Sequence, residues 1–295
     1  MRATRTGRPE ARLAGAVCLL ALGALLAGCT GGGAAQPETA ATAPATTPTP
    51  APTRDPFPSE PLTATTRYIA IGDSYAAGMG GGEEQGACRL SANGYPAQFA
   101  RRSGVDLVVN AACAGATTTD LLAHQLLALD DRTDLVTLSV GGNDLGVAAI
   151  ATDCAARRAE ACRNEVTGAL SLLNVLPDRL DDVYAAVAKA APNARIVVTG
   201  YALMWDAADP SAPDFQTSAA MNAATIGLNE VIRQAVDKQR AAGVAMTYVE
   251  PDFAGHAIND PVPWLHHSGP YAFHPTARGY AEYTKRLLKL LGTAS

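Results

Sequence analysis

From Arg67 onward the chain alternates short, β-branched apolar runs with longer amphipathic stretches, and this alternation leaves few folds open to it. The runs are Tyr68 to Ile71, Asp106 to Val109, Leu135 to Val140, Arg195 to Thr199 and Met246 to Val249. They are nearly continuous in apolar character, as strands covered on both faces of a parallel sheet tend to be. Between them Tyr95 to Arg102, Thr119 to Leu129, Val166 to Ala191 and Phe215 to Ala242 read as helices, and Thr276 to Leu291 as a closing one. Pro192-Asn193 and Gly243 stop two of these helices just before a strand. Strand alternating with helix predicts an α/β sandwich, with ligands bound beyond the carboxyl ends of the strands. Gly78 to Ala92, Ala151 to Glu165, Trp205 to Asp214 and Pro251 to Pro270 lack a regular period and are expected as loops at the mouth of a site.

What precedes Arg67 is different in kind. Arg2, Arg5, Arg8 and Arg12 make a basic start, and Leu13 to Leu26 is an apolar run too short to span a bilayer comfortably. It ends in Leu26-Ala27-Gly28-Cys29, a pattern similar to the bacterial lipobox. Residues 1–28 are therefore expected to be a lipoprotein signal peptide, with Cys29 acylated and the protein tethered to the outer face of the cell membrane. An ordinary secretory peptide with a chance cysteine is the alternative. Residues 29–66, rich in Pro, Thr, Ala and Gly, have too few periodic apolar positions to order themselves and read as a spacer. Residues 67–295 are then one catalytic domain.

The 295 residues are 48% hydrophobic, enough for one sizeable core. With Lys+Arg 23 against Asp+Glu 28 the formal net charge is -5, so no basic excess points to nucleic acid as a partner. A monomer acting on a small molecule or a lipid is expected. Setting aside Cys18 in the signal peptide and Cys29, four cysteines remain: Cys88, Cys113, Cys154 and Cys162. In an exported chain an even number suggests disulfides. Of the three pairings, Cys88 with Cys113 and Cys154 with Cys162 are favoured, the second because it closes a short local loop. A metal site is the rival reading, but there is no CxxC spacing and no histidine near any of the four.

Four strand ends or late loops carry unusual residues. After the first strand comes Gly72-Asp73-Ser74, a serine in a turn, where a helix start would add backbone donors beside its hydroxyl. After the second, Gly115 can bring its N–H close to a ligand because it has no Cβ. The third runs into Gly141-Gly142-Asn143-Asp144, whose amide side chain can donate to a developing oxyanion. The last is Phe273-His274-Pro275-Thr276, where proline at the first helical position would hold His274 on a stiff, extended loop, suited to general-base work. Each block alone is also ordinary turn chemistry. His256, His266 and His267 are competing histidines.

Together the four blocks resemble the SGNH hydrolase family, the GDSL esterases and lipases, over roughly residues 67 to 291. The resemblance implies a flavodoxin-like three-layer α/β/α sandwich on a mainly parallel five-stranded sheet. It also implies Ser74 as nucleophile, His274 as base, and an oxyanion hole of the Ser74 N–H, the Gly115 N–H and the Asn143 side chain. No cofactor or metal is implied. The Cys88–Cys113 pairing looks like that of secreted actinobacterial esterases, though a third disulfide often found in those relatives has no cysteines here.

In one place the chain departs from the family. The last block usually reads Asp-x-x-His but here reads Tyr271-Ala272-Phe273-His274, so no carboxylate stands at the orienting position. Similarity to relatives that use a main-chain carbonyl suggests the Tyr271 C=O as acceptor for the imidazole, with Asp252 or Asp260 as carboxylate alternatives. The expected reaction is hydrolysis of carboxylic esters with lipid or short acyl chains. Removal of O-acetyl groups from carbohydrate and a catalytically silent binding role are the alternatives. Trp205, Phe215, Trp264 and Tyr271 are candidate walls of an acyl pocket.

Overall fold

The computed structural model describes Phe57 and residues 60–155, 159–206 and 215–292. The signal peptide, Cys29 and most of the proline-rich spacer lie outside the described residues. Five strands form one sheet: β1 (Arg67–Gly72), β2 (Asp106–Asn110), β3 (Leu135–Ser139), β4 (Arg195–Thr199) and β5 (Met246–Val249). All pairings are parallel and the order is β2-β1-β3-β4-β5, the flavodoxin-like arrangement. β3 is buried along its whole length between β1 and β4, whereas edge strand β2 leaves Val108 and Val109 exposed.

Helices cover both faces. α1 (Ser74–Ala77) is one turn long; α2 (Tyr95–Ser103) packs on α8 (Ala277–Leu291) on one side of the sheet. α3 (Thr118–Asp120) continues through a π turn, Leu121–Gln125, into a 3₁₀ turn, Leu126–Ala128. It packs against α6 (Leu176–Ala190), and α6 packs against α7 (Phe215–Ala241). The α2–α8 layer is aromatic: Tyr95 stacks on Tyr283, and Phe99 meets the edge of Tyr68. Phe99 is fully buried, so truncating it to alanine would cost about 3–5 kcal/mol.

The strands follow the apolar runs, but the helices differ from expectation in three places. Ala151 to Glu165, expected as a loop, lies mostly in α4 (Val147–Ala155) and α5 (Ala159–Leu172). The single helix expected over Val166 to Ala191 is broken between α5 and α6, because Pro177 lacks an N–H and clashes with the preceding turn unless it opens a new helix. Finally, Pro275, expected at the first helical position, lies just before the helix: Thr276 caps α8, its hydroxyl accepting from the Gly279 N–H at 3.3 Å. The residues just before β1 pack as well: Leu62 rests on the core, and the Glu60 carbonyl accepts from Arg195 at 2.7 Å.

Candidate active site

In this strand order the connections from β1 and β3 leave on opposite sides of the sheet, which opens a crevice at their carboxyl ends. Ser74 follows β1 there. The turn that presents it is held from several directions. Gly72 has φ +129, and a Cβ on it would lie 2.2 Å from the Ser139 carbonyl oxygen, so only glycine fits. Its N–H donates to the Gln125 side chain at 2.6 Å and its carbonyl accepts from the same amide at 2.9 Å. The π turn places Gln125 in this role. Asp73 then caps α1 by accepting from the Tyr75 N–H at 3.0 Å, leaving Ser74 as the first helical residue.

His274 comes from the loop after β5. Its Nε2 lies 2.8 Å from Ser74 Oγ and its Nδ1 3.0 Å from the Ala272 carbonyl oxygen. With Nδ1–H donating to that carbonyl, Nε2 is the bare nitrogen that accepts from the serine hydroxyl. The carbonyl expected from the sequence was that of Tyr271. That carbonyl closes the turn by accepting the His274 backbone N–H at 3.0 Å and acts on the imidazole less than the Ala272 carbonyl does. The turn is tight because Phe273 adopts φ +67, and the Tyr75 hydroxyl clasps it by donating to the Phe273 carbonyl at 2.7 Å. Neither carboxylate alternative is used: Asp252 pairs with Arg286, and Asp260 accepts from the Ala257 N–H. Burial pulls the His274 pKa below the ordinary 6.5, while the Ala272 and Tyr271 carbonyls favour its charged form.

The competing histidines have other places. His256 stacks on Trp264 at 3.6 Å, the His266 Nε2 meets the Gly80 carbonyl at 2.8 Å, and His267 is exposed.

Opposite the histidine, Gly115 and Asn143 line the same cavity as Ser74. Gly115 has φ +84, and a Cβ on it would meet nothing within 4 Å, so backbone conformation, not space, calls for glycine. The Asn143 amide donates to the Ala116 carbonyl at 2.9 Å, which leaves its second N–H available. Asp144 joins these two turns by accepting from the Thr118 N–H at 3.0 Å and its hydroxyl at 2.5 Å. Cys88 and Cys113 form a disulfide, and beside it the Ala114 N–H donates to the Cys88 carbonyl at 3.1 Å. Cys162 is also disulfide-bonded; the side chain of Cys154, its expected partner, lies outside those described.

The cavity measures about 350 Å³. Beyond Ser74 its wall is Leu145, Val147 and Ile150, together with Met221, Ala224 and Leu228 along one face of α7. None of the four aromatics proposed for it lines it. Trp205 packs on Phe273, Trp264 on Phe253, Tyr271 donates to Glu84, and Phe215 begins α7. Three polar residues that the sequence reading passed over belong to the site's framework: Gln125, Asp73 and Tyr201. The Asp73 carboxyl is pushed up to about 6 by burial, opposed by hydrogen bonds from the Tyr201 and Ser139 hydroxyls and the Tyr75 N–H. Its three partners all donate to it, which favours the carboxylate form.

A parallel sheet of this order with a serine and histidine in contact at its switch point defines a class, the ester hydrolases of the SGNH type. The chain belongs to the GDSL-like Lipase/Acylhydrolase family, whose model matches residues 70–282. It is 36% identical over 248 residues to a lipase of Streptomyces rimosus, covering 80% of this chain and 90% of that one. It is 34% identical over 232 residues to Lipase 1 of Streptomyces coelicolor, covering 72% and 81%. Among solved structures, the extracellular lipase of S. rimosus matches with a TM-score of 0.67 at 35% identity, covering 78% of this chain and 100% of that one. Phospholipase A1 of Streptomyces albidoflavus matches with 0.66 at 34% identity over the same shares. The protein is a carboxylic ester hydrolase.

Proposed function

We propose that this esterase cleaves lipid esters by acyl transfer through Ser74. The observation that carries the reading is the 2.8 Å contact between Ser74 Oγ and His274 Nε2. A serine hydroxyl is a weak nucleophile until a neighbouring base takes its proton, and this histidine is fixed in the tautomer that can take it. As Oγ bonds to the ester carbon, the carbonyl oxygen gains charge, which the N–H groups of Ser74 and Gly115 and the Asn143 amide stabilise. His274 then passes the proton to the departing alkoxide, and water, activated by the same histidine, releases the acyl group.

The mostly aliphatic cavity favours an acyl chain over acetyl, since a long chain gains from apolar burial that an acetyl group cannot use. The relatives described as lipase and phospholipase A1 support a lipid ester. Export is supported by the Cys88–Cys113 disulfide and by an extracellular relative. In this reading Cys29 carries lipid and the 29–66 spacer holds the domain near the membrane that supplies its substrate. The test is hydrolysis of p-nitrophenyl esters from acetate to palmitate, with Ser74→Ala alongside. A medium- or long-chain optimum abolished by the substitution supports the reading. Activity confined to acetate, or to acetylated carbohydrate, refutes the lipid assignment.

A further inference from the structure

The donors that would hold the oxyanion sit on separate turns: Ser74 follows β1, and Asn143 follows β3. No covalent link joins these two turns locally, yet donors of this kind work only when held within about 0.5 Å of the productive geometry. A buried chain of hydrogen bonds spans the gap. Asp73, 1% exposed, receives the Ser139 hydroxyl at 2.7 Å and the Tyr75 N–H at 3.0 Å on one carboxylate oxygen, and the Tyr201 hydroxyl on the other. The Tyr201 oxygen in turn accepts the Gly142 N–H at 3.2 Å, one residue before Asn143.

Tyr201 is itself firmly anchored. It follows β4; its backbone N–H donates to the Asn229 side chain at 2.9 Å, and its carbonyl accepts from the same amide at 2.8 Å. Its ring meets Tyr75 edge-on, with centroids 4.9 Å apart, and lies 3.4 Å from where a Cβ on Gly142 would sit. The hydroxyl therefore has both of its roles, donor and acceptor, satisfied inside the protein. One of those partners belongs to the serine turn and the other to the asparagine turn.

We infer that Tyr201 is a positioning residue: its hydroxyl, pinned to the Asp73 carboxylate, fixes the spacing between the Ser74 turn and the Gly142-Asn143 turn. It lines the cavity, but its hydroxyl is held by Asp73 and Gly142 and bonds to neither Ser74 nor His274. The inference rests on the proposed roles of Ser74 and Asn143, and it adds that the oxyanion donors are held in register through a third strand end, that of β4.

Tyr201→Phe keeps the ring and its packing and removes only the bridge. In the folded variant kcat is expected to fall about 10- to 100-fold with KM within about twofold, because loss of register damages the transition state more than ground-state binding. A merely structural role would not couple to Asn143, so the decisive readout is a double-mutant cycle. On an Asn143→Ala background, Tyr201→Phe should cost under about half as much on the logarithmic scale as it does alone. Unchanged kcat, a rise in KM alone, or full additivity would overturn the inference. Should Tyr201→Phe not fold, Asp73→Asn, which keeps the shape but removes the charged acceptor, must give the same kcat loss and the same sub-additivity. A Ser74→Ala protein that remained active would instead sink the reaction scheme itself, whatever Tyr201 does.

Discussion

Replacing Cys88 and Cys113 together by alanine tests how far the site depends on a covalent tie. The bond closes a loop with a sequence separation of 25. Cross-linking such a loop restricts the unfolded chain by about 3.5 kcal/mol at room temperature in the chain-entropy account. For a domain of this size each kcal/mol moves the melting temperature by about 2–4 °C, so the double variant should melt about 7–14 °C lower. The effect should reach chemistry too. Cys113 lies two residues before Gly115, and the neighbouring Ala114 N–H is held by the Cys88 carbonyl. Freed of the bond, the Gly115 turn samples orientations that aim its N–H away from the oxyanion, and kcat should fall even at temperatures where the variant is fully folded. Calorimetry gives the melting shift, and ester hydrolysis at 15–20 °C below the new midpoint gives kcat. A melting temperature and kcat both equal to those of the parent would refute the reasoning.

Three further outcomes follow from the geometry. Asn143→Ala should lower kcat about 10²- to 10³-fold while costing about 1 kcal/mol of stability for its bond to Ala116, as steady-state kinetics and denaturant titration will show. Because burial depresses the His274 pKa, the neutral, proton-accepting form persists below pH 6.5; the acid limb of kcat/KM should have its midpoint below that value, and a midpoint above it would contradict the burial argument. Ala224→Trp, which fills the aliphatic cavity from α7, should reduce kcat/KM for palmitate esters at least tenfold, roughly the discrimination of one or two methylenes, while sparing acetate; equal losses on both would place the acyl chain elsewhere.

How much of this was legible in the sequence depended on how local the cause was. The strands were readable because burial on both faces leaves long apolar runs such as Leu135 to Val140, and the four blocks because each lies at a strand end or before a capped helix. The break before α6 was also readable in principle, since Pro177 marks it. The Ala272 carbonyl was not: which of two adjacent carbonyls faces the imidazole depends on the positive φ of Phe273, a backbone state that phenylalanine rarely adopts. Nor was the Asp73–Tyr201 contact, made between residues 128 positions apart. Met221, Ala224, Thr225 and Leu228 do recur at helical spacing, and that pattern marks a face of α7. Sequence alone could not show that the face lines a cavity instead of a filled core.

The central claim is that Ser74 is an activated nucleophile, and labelling with a fluorophosphonate probe tests it most directly, because only an activated serine reacts quickly. Peptide mapping of the labelled protein should place the single adduct on Ser74, with rapid labelling in the parent and none in Ser74→Ala or His274→Ala. Labelling at another residue, or undiminished labelling of the folded Ser74→Ala protein, would contradict it.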